Sequence, residues 1–114
     1  MSINSITQNI FLEMVRGDTL GVALEIANLS ATIDEVTMTC RPSYGSPTVV
    51  FSGSLTGGEV TVDSGRIYIC IPPSATESLT PGMYVYDIEI ESGSDVYTPM
   101  IGNLHIMYGV TEAA

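Results

Sequence analysis

The fold is decided by one stretch of the chain, LTPGMYVYDIEIE at residues 79–91. From residue 84 onward its even-numbered positions are aromatic or aliphatic: Tyr84, Tyr86, Ile88 and Ile90. The odd-numbered positions from residue 85 onward are mostly acidic: Val85, Asp87, Glu89 and Glu91. Alternation with period two is typical of a β-strand that buries one face. The Pro81-Gly82 pair ahead of it favours a turn, so the stretch predicts a sharp corner followed by a half-buried strand.

The same alternation recurs along the chain, in which 34 residues are Val, Ile or Thr and none is Lys. Stiff β-branched side chains favour strands over helices. We therefore predict an all-β immunoglobulin-like sandwich of about eight short strands in two antiparallel sheets with Greek-key links, and a small closed barrel is the alternative. Besides residues 79–91, the predicted strands are Ile10–Val15, Thr19–Ala27, Glu35–Arg41, Thr48–Ser52, Glu59–Asp63, Arg66–Ile71, Asp95–Met100 and Ile101–Tyr108.

Three local signals refine this plan. Asp63-Ser64-Gly65 is a hairpin signal between two predicted strands, and the run at Arg66–Ile71 can also be interpreted as buried on both faces. Ser74 followed by Glu77 has capping-box spacing, which predicts one helical turn over Ala75–Leu79. The last two strands are expected to be separated or bulged at Pro99 or Gly102.

Length and charge restrict the function. The 114 residues form one predicted domain, 1–114, with a formal charge of −10 and only three basic residues. Three isolated arginines cannot neutralise a track of phosphates, and an anionic membrane surface repels such a chain, so we expect neither nucleic-acid binding nor membrane insertion. The first residues, MSINSITQNIFLEMVRG, are not typical of a signal peptide, so we expect the protein to stay in the cytoplasm where it is made.

Candidate catalytic groups are few. His105 is the single histidine, and its place between Leu104 and Ile106 predicts a surface or interface position. Cys40 or Cys70 could pair with it, but neither has a setting that activates a thiol. We expect no catalytic residue and no cofactor. The cysteines are predicted to be buried and reduced, with a disulfide between them as the alternative.

Two further motifs have a structural and a functional interpretation. Asp87, Glu89 and Glu91, with Asp95 past the turn, could bind calcium, but alternate strand residues lie roughly 6.6 Å apart. We favour a solvated acidic face and expect no metal. Residues 16–18, Arg-Gly-Asp, match the integrin-binding tripeptide, and we favour a turn between strands in which glycine supplies an unusual backbone angle.

Several large side chains are difficult to place inside so small a domain. Exposed tyrosine is typical of interfaces and of sugar-binding faces. Methionines, including Met83 and Met107, add to this apolar surface. The residues predicted to form an interface are Tyr44, Tyr68, Tyr97, Tyr108 and Met100.

The corner ahead of the decisive strand resembles the link between the fifth and sixth strands of an immunoglobulin-like sandwich, where a tyrosine hydroxyl bonds upstream backbone. The residues that correspond to it are Pro81, Gly82, Tyr84 and Tyr86. Antibody domains add a cysteine two residues beyond the tyrosine and a tryptophan on the third strand. Here Ile88 stands in the cysteine position and the chain has no tryptophan.

A wider set of motifs, in order along the chain, resembles small immunoglobulin-like virion proteins of tailed phages, including the amino-terminal domain of upper-baseplate proteins. The motifs are GDT at 17–19, GRIYI at 65–69, TESLTPGMYVYDIE at 76–89, GNLHI at 102–106 and VT at 110–111.

This resemblance implies a non-enzymatic virion subunit, assembled in the host cytoplasm. It would dock on a tail, baseplate or head lattice through sheet edges, exposed apolar residues and ordered termini. Its expected partners are other virion proteins and copies of itself. The competing interpretation is a carbohydrate-binding module for a host surface glycan.

Overall fold

The computed structural model describes residues 7–26 and 32–111, which form two packed β-sheets. The predicted all-β sandwich is confirmed, and the described residues form nine strands where about eight were expected. The strands are β1 (Gln8–Asn9), β2 (Leu12–Val15), β3 (Leu20–Glu25), β4 (Glu35–Arg41), β5 (Phe51–Ser54), β6 (Val60–Asp63), β7 (Arg66–Ile71), β8 (Gly82–Ser92) and β9 (Asp95–Met107).

The larger sheet has the order β1-β9-β8-β4-β5, with β2 also paired to β9, and the smaller sheet has the order β3-β7-β6. The first two strands and the last strand thus share one sheet. The larger sheet is mixed, whereas antiparallel sheets were predicted. Residues 8–15, which contain β1 and β2 and are here called the first segment, run parallel to β9. The two strands end side by side, where the backbone N–H of Arg16 donates to the carbonyl of Met107.

The core lies between the two sheets and follows the predicted alternation. In β7 every second side chain is buried, so the interpretation with both faces buried is wrong. The most deeply enclosed apolar side chains are Val36, Met38, Cys40, Ile67, Ile88, Ile90, Leu104 and Ile106.

Two predicted boundaries are wrong. Residues 48–50 continue the loop after Arg41, and pairing with β4 begins only at Phe51, opposite Cys40. The helical turn lies at Pro73–Ala75 as a 3-10 turn, and no side chain caps it. The fixed backbone angle of Pro73 starts the turn two residues before the predicted place.

The last two predicted strands form one continuous strand, β9, with a bulge. Ile88 is opposite Met100 and Ile90 is opposite Tyr97, so two residues of β9, Thr98 and Pro99, face a single residue of β8. The bulge therefore lies at Pro99, one of the two predicted places. Proline has no N–H for the ladder and is tolerated where the pairing is interrupted.

Some expectations lie outside the described residues. The predicted ordering of the termini concerns residues 1–6 and 112–114, and the end predicted for the second strand, Ala27, lies beyond residue 26. Across the described ranges there is no helix with the length and hydropathy needed to cross a bilayer.

Candidate functional site

The corner before β8 is built on Tyr84, whose hydroxyl donates to the carbonyl oxygen of Thr80 at 2.5 Å. This is the contact that defines a tyrosine corner. Pro81 and Gly82 lie within the loop that this bond closes. Because Tyr84 makes the bond, the position two residues beyond it is Tyr86, and the assignment of Ile88 to the antibody cysteine position is wrong.

Tyr86 has a different role, because its ring is buried and its hydroxyl donates to the carbonyl oxygen of Ile10 at 2.6 Å. Gly102 is the partner of Tyr86 on β9. A Cβ at Gly102 would overlap the backbone of Ile10. Glycine at position 102 thus lets the first segment lie close to β9. Burial of the Tyr86 side chain raises its pKa to about 12.

The Arg16-Gly17-Asp18 tripeptide is part of the same corner. Gly17 has a φ of +82°, and its N–H donates to the buried hydroxyl of Thr76 at 2.9 Å. The Arg16 guanidinium donates to the carbonyl of Leu79 at 3.1 Å and lies 4.7 Å from the ring centroid of Tyr108. The predicted turn is confirmed, and these contacts give the tripeptide a structural role.

The solvent side of the larger sheet, here called the outer face, divides into two unlike regions. One region has four apolar side chains that are exposed or partly exposed, Phe11, Met83, Val85 and Ile101, and is here called the apolar patch; the polar Asn103 and His105 of β9 lie opposite Val85 and Met83 within it. Phe11 and Met83 are each 52% exposed. Large apolar side chains grouped on one surface are typical of interaction sites.

The second region is an acidic patch formed by Glu35 on β4 with Asp87, Glu89 and Glu91 on β8. Glu35 lies directly opposite Glu91, so like charges face each other across the sheet. The Glu35 carboxylate accepts the hydroxyl of Thr56 at 2.5 Å, and this bond is the main reason that its pKa is lowered. Within the described ranges, no group of three or more acidic, histidine or cysteine side chains is arranged to bind a metal.

A groove of about 180 Å³ lies where the two regions meet. The loop after β4 forms one wall, and the Arg41 guanidinium fixes this loop by donating to the carbonyl of Ser46 at 3.1 Å. The Asp87 carboxyl is half-buried in the groove; burial raises its pKa, and the charge of Arg41 opposes this shift. The residues that line the groove include Thr39, Arg41, Tyr44, Val85, Asp87 and Ile101.

The structure does not bring the predicted interface residues together on one surface. Tyr44 is 60% exposed beside the groove, Tyr68 lies on the solvent side of the smaller sheet, and Tyr108 contacts Arg16. Tyr97 is partly packed against the core. Met100 was wrongly placed at the surface: it faces inward beside the Pro99 bulge and is 8% exposed. An interface role for the four tyrosines stays a prediction.

Sequence reasoning missed Phe11, which is central to the apolar patch. The predicted first strand, Ile10–Val15, contained the signal, because its odd-numbered residues face away from the buried Met14. The prediction treated these residues as part of one continuous strand, whereas Ile10 and Phe11 separate β1 from β2.

The histidine and the two cysteines are on separate faces. His105 is on the outer face, as predicted, with Nδ1 3.2 Å from Oε2 of Glu13. Cys40 points into the core, where burial raises its pKa to about 12. Cys70 is exposed on the smaller sheet, and both thiols are free. The disulfide alternative and the expected burial of Cys70 are therefore wrong, and neither thiol shares a face with His105.

The comparisons show a similarity of fold. No protein-family model matches the chain, and no curated protein matches it. Among solved structures, it is similar to part of the endo-β-1,4-mannanase from Thermotoga petrophila, with a TM-score of 0.57 and 11% identity. The match covers 90% of this chain, which spans 18% of the length of that chain. At this identity the likeness shows the β-sandwich fold alone.

Proposed function

We propose that the protein is a non-enzymatic structural subunit of a tailed-phage virion, which docks on a tail, baseplate or head lattice. The observation that supports this most is the apolar patch on the outer face, where Phe11, between β1 and β2, and Met83, on β8, are each 52% exposed. A docking subunit needs such a surface, because burial of apolar area is the main favourable term in protein association. The phage-like motifs at residues 76–89 and 102–106 supply the virion context.

The same motifs occupy structural positions in the fold. Residues 76–89 form the tyrosine corner and most of β8, and residues 102–106 include Gly102, where a Cβ would overlap the backbone of Ile10. In this proposal the outer face binds the lattice by shape and burial, as in complexes that dock without large backbone movement.

Quantitative mass spectrometry of purified phage particles from the source tests the proposal. The readout is the copy number of this protein relative to the major capsid and tail-tube proteins. Copies that follow the capsid would make it a head decoration subunit, whereas copies that follow a tail ring would place it in a baseplate or connector. Absence from particles that contain all other structural proteins would refute the virion proposal.

The groove favours a second candidate, a carbohydrate-binding module. Tyr44 offers an exposed ring, and Arg41, Asp87 and Thr39 offer polar groups beside it. Aromatic rings next to hydrogen-bonding side chains are typical of small-ligand sites. Calorimetric titration with a panel of oligosaccharides distinguishes the candidates, because a subunit that serves only the lattice has no saturable sugar binding.

A further inference from the structure

The groove contains a carboxylate, that of Asp87, for which the described residues provide no hydrogen-bond or ion-pair partner. Within residues 7–26 and 32–111, no donor is hydrogen-bonded to Asp87, and no basic group lies within ion-pair distance of it. Arg41 is near enough to influence it electrostatically, but the one hydrogen bond of the Arg41 guanidinium goes to Ser46. A cation or a hydrogen-bond donor that reaches a half-buried carboxylate in this state stabilises it.

The walls of the groove suit a long side chain with a charged end. Ile101 lies directly opposite Asp87 on β9, and Val85 precedes Asp87 by two residues on β8, so both supply apolar surface beside the carboxylate. Tyr44 exposes its ring at the same groove. Arginine and lysine bury their methylene stems along apolar surface while the charged group meets a carboxylate. A cation can also lie over an aromatic ring, which adds a favourable electrostatic interaction.

The charge of the outer face restricts the partner further. Four carboxylates, those of Glu35, Asp87, Glu89 and Glu91, lie on the strands beside the groove, against the single positive charge of Arg41. This arrangement attracts a basic surface and repels a second copy of a chain whose net charge is −10. Charge complementarity therefore favours a basic partner over self-association through this face.

We infer that the groove receives an arginine or lysine side chain of another virion protein, while apolar residues next to that side chain pack on Phe11, Met83 and Val85. The inference rests on the proposed function, because it names the partner chemistry of the same docking face. It also predicts a specific residue, Asp87, as the group that pairs with the partner's cation.

A titration with a defined peptide tests the inference without knowledge of the partner. The probe is acetyl-Leu-Arg-Leu-amide, and its matched control replaces arginine with citrulline, which has the same shape without the charge. Backbone amide shifts of the ¹⁵N-labelled protein are followed up to about 20 mM peptide, a range that detects millimolar affinity. We expect saturable shifts at Thr39, Tyr44 and Asp87 with the arginine peptide, and weaker binding of the citrulline peptide.

A pair of variants tests the role of the carboxylate. Asp87→Asn removes the charge in the groove, and Asp63→Asn makes the same chemical change at an exposed position of the smaller sheet. Because a charge pair at a partly exposed site contributes up to about 1 kcal/mol, Asp87→Asn should weaken binding of the arginine peptide about fivefold. Asp63→Asn should leave the affinity within about twofold.

Four results would overturn the inference: no saturable shift at the groove, equal binding of both peptides, equal weakening by both variants, or saturation of these residues by cellobiose alone. The last result would instead assign the groove to a sugar. Peptide binding and virion copy number are measured separately. A protein absent from particles that still binds the arginine peptide refutes the virion proposal alone. A virion protein that does not bind the peptide refutes only this inference.

Discussion

The two faces of the larger sheet are made by the same strands, but they differ in burial and in polarity. On β8, the inner residues Tyr86, Ile88 and Ile90 are at most 2% exposed, whereas Val85 and Asp87 on the outer face stay in contact with solvent. The inner face fixes where the strands lie, because each side chain is enclosed by the opposite sheet. Side chains on the outer face are not constrained by packing against the other sheet, so they can be suited to a binding partner.

The largest contrast is expected between two methionines. Met38 is fully buried on the inner face of β4, whereas Met83 is 52% exposed on the outer face of β8. Met38→Ala should lower the free energy of unfolding by about 2–5 kcal/mol, because it leaves a cavity in the core. Met83→Ala should change it by less than about 0.5 kcal/mol, because no cavity forms. Urea denaturation of both variants measures the difference, and equal losses would contradict the division into two faces.

The next effect concerns the attachment of the first segment. Gly102→Ala places a Cβ against the backbone of Ile10 and should lower the free energy of unfolding by about 1–3 kcal/mol. Gly21 is a matched control, because it is also a strand glycine and a Cβ there meets no atom within 4 Å. Gly21→Ala should leave stability unchanged or raise it by up to about 1 kcal/mol. If both variants behave alike, the close approach at Gly102 does not limit the packing.

A smaller effect is expected from the hydroxyl of Tyr86. Tyr86→Phe removes its bond to Ile10 and should cost about 0.5–1.5 kcal/mol, whereas Tyr44→Phe on the outer face should cost almost nothing. The difference in stability between the wild type and Tyr86→Phe should also depend on pH. The pKa of Tyr86 is raised from 10.0 to about 12 in the folded protein, so its contribution is complete below pH 10 and is lost as the pH rises towards 12.

Denaturation of the wild type and Tyr86→Phe at pH 8 and at pH 11 measures this loss. The gap between the two proteins should narrow at the higher pH. A constant gap would mean that the hydroxyl titrates equally in the folded and unfolded states, which contradicts its burial.

The inner face could be predicted from the sequence to a large extent, because it depends on local period. The alternation at residues 79–91 placed Ile88 and Ile90 inside, and the missing N–H of Pro99 explains why one predicted interruption is the observed bulge. Met100 was misplaced for a related reason: the bulge inserts an extra residue and so changes which positions of β9 face the core.

The contacts that attach the first segment could not be predicted in the same way. The bond from Tyr86 to Ile10 joins residues 76 positions apart, and the bond from Gly17 to Thr76 joins residues 59 apart. Each depends on which strands are neighbours, and local period does not determine strand order. The groove is harder still, because β4, the loop after it, β8 and β9 each supply part of its lining.

The smallest predicted effect bears directly on the partner of the outer face. Burial raises the pKa of Asp87 above its usual 3.8, so the ionised carboxylate disfavours the folded state at neutral pH, and this cost disappears as the pH falls below 3.8. Asp87→Asn should therefore slightly increase the free energy of unfolding at pH 7 and leave it unchanged at pH 3, measured by urea denaturation. Asp63→Asn reports the general effect of removing one negative charge. If Asp87→Asn instead lowers stability at pH 7, the carboxylate already has a favourable contact within the chain, and the argument that its cation comes from a partner loses its basis.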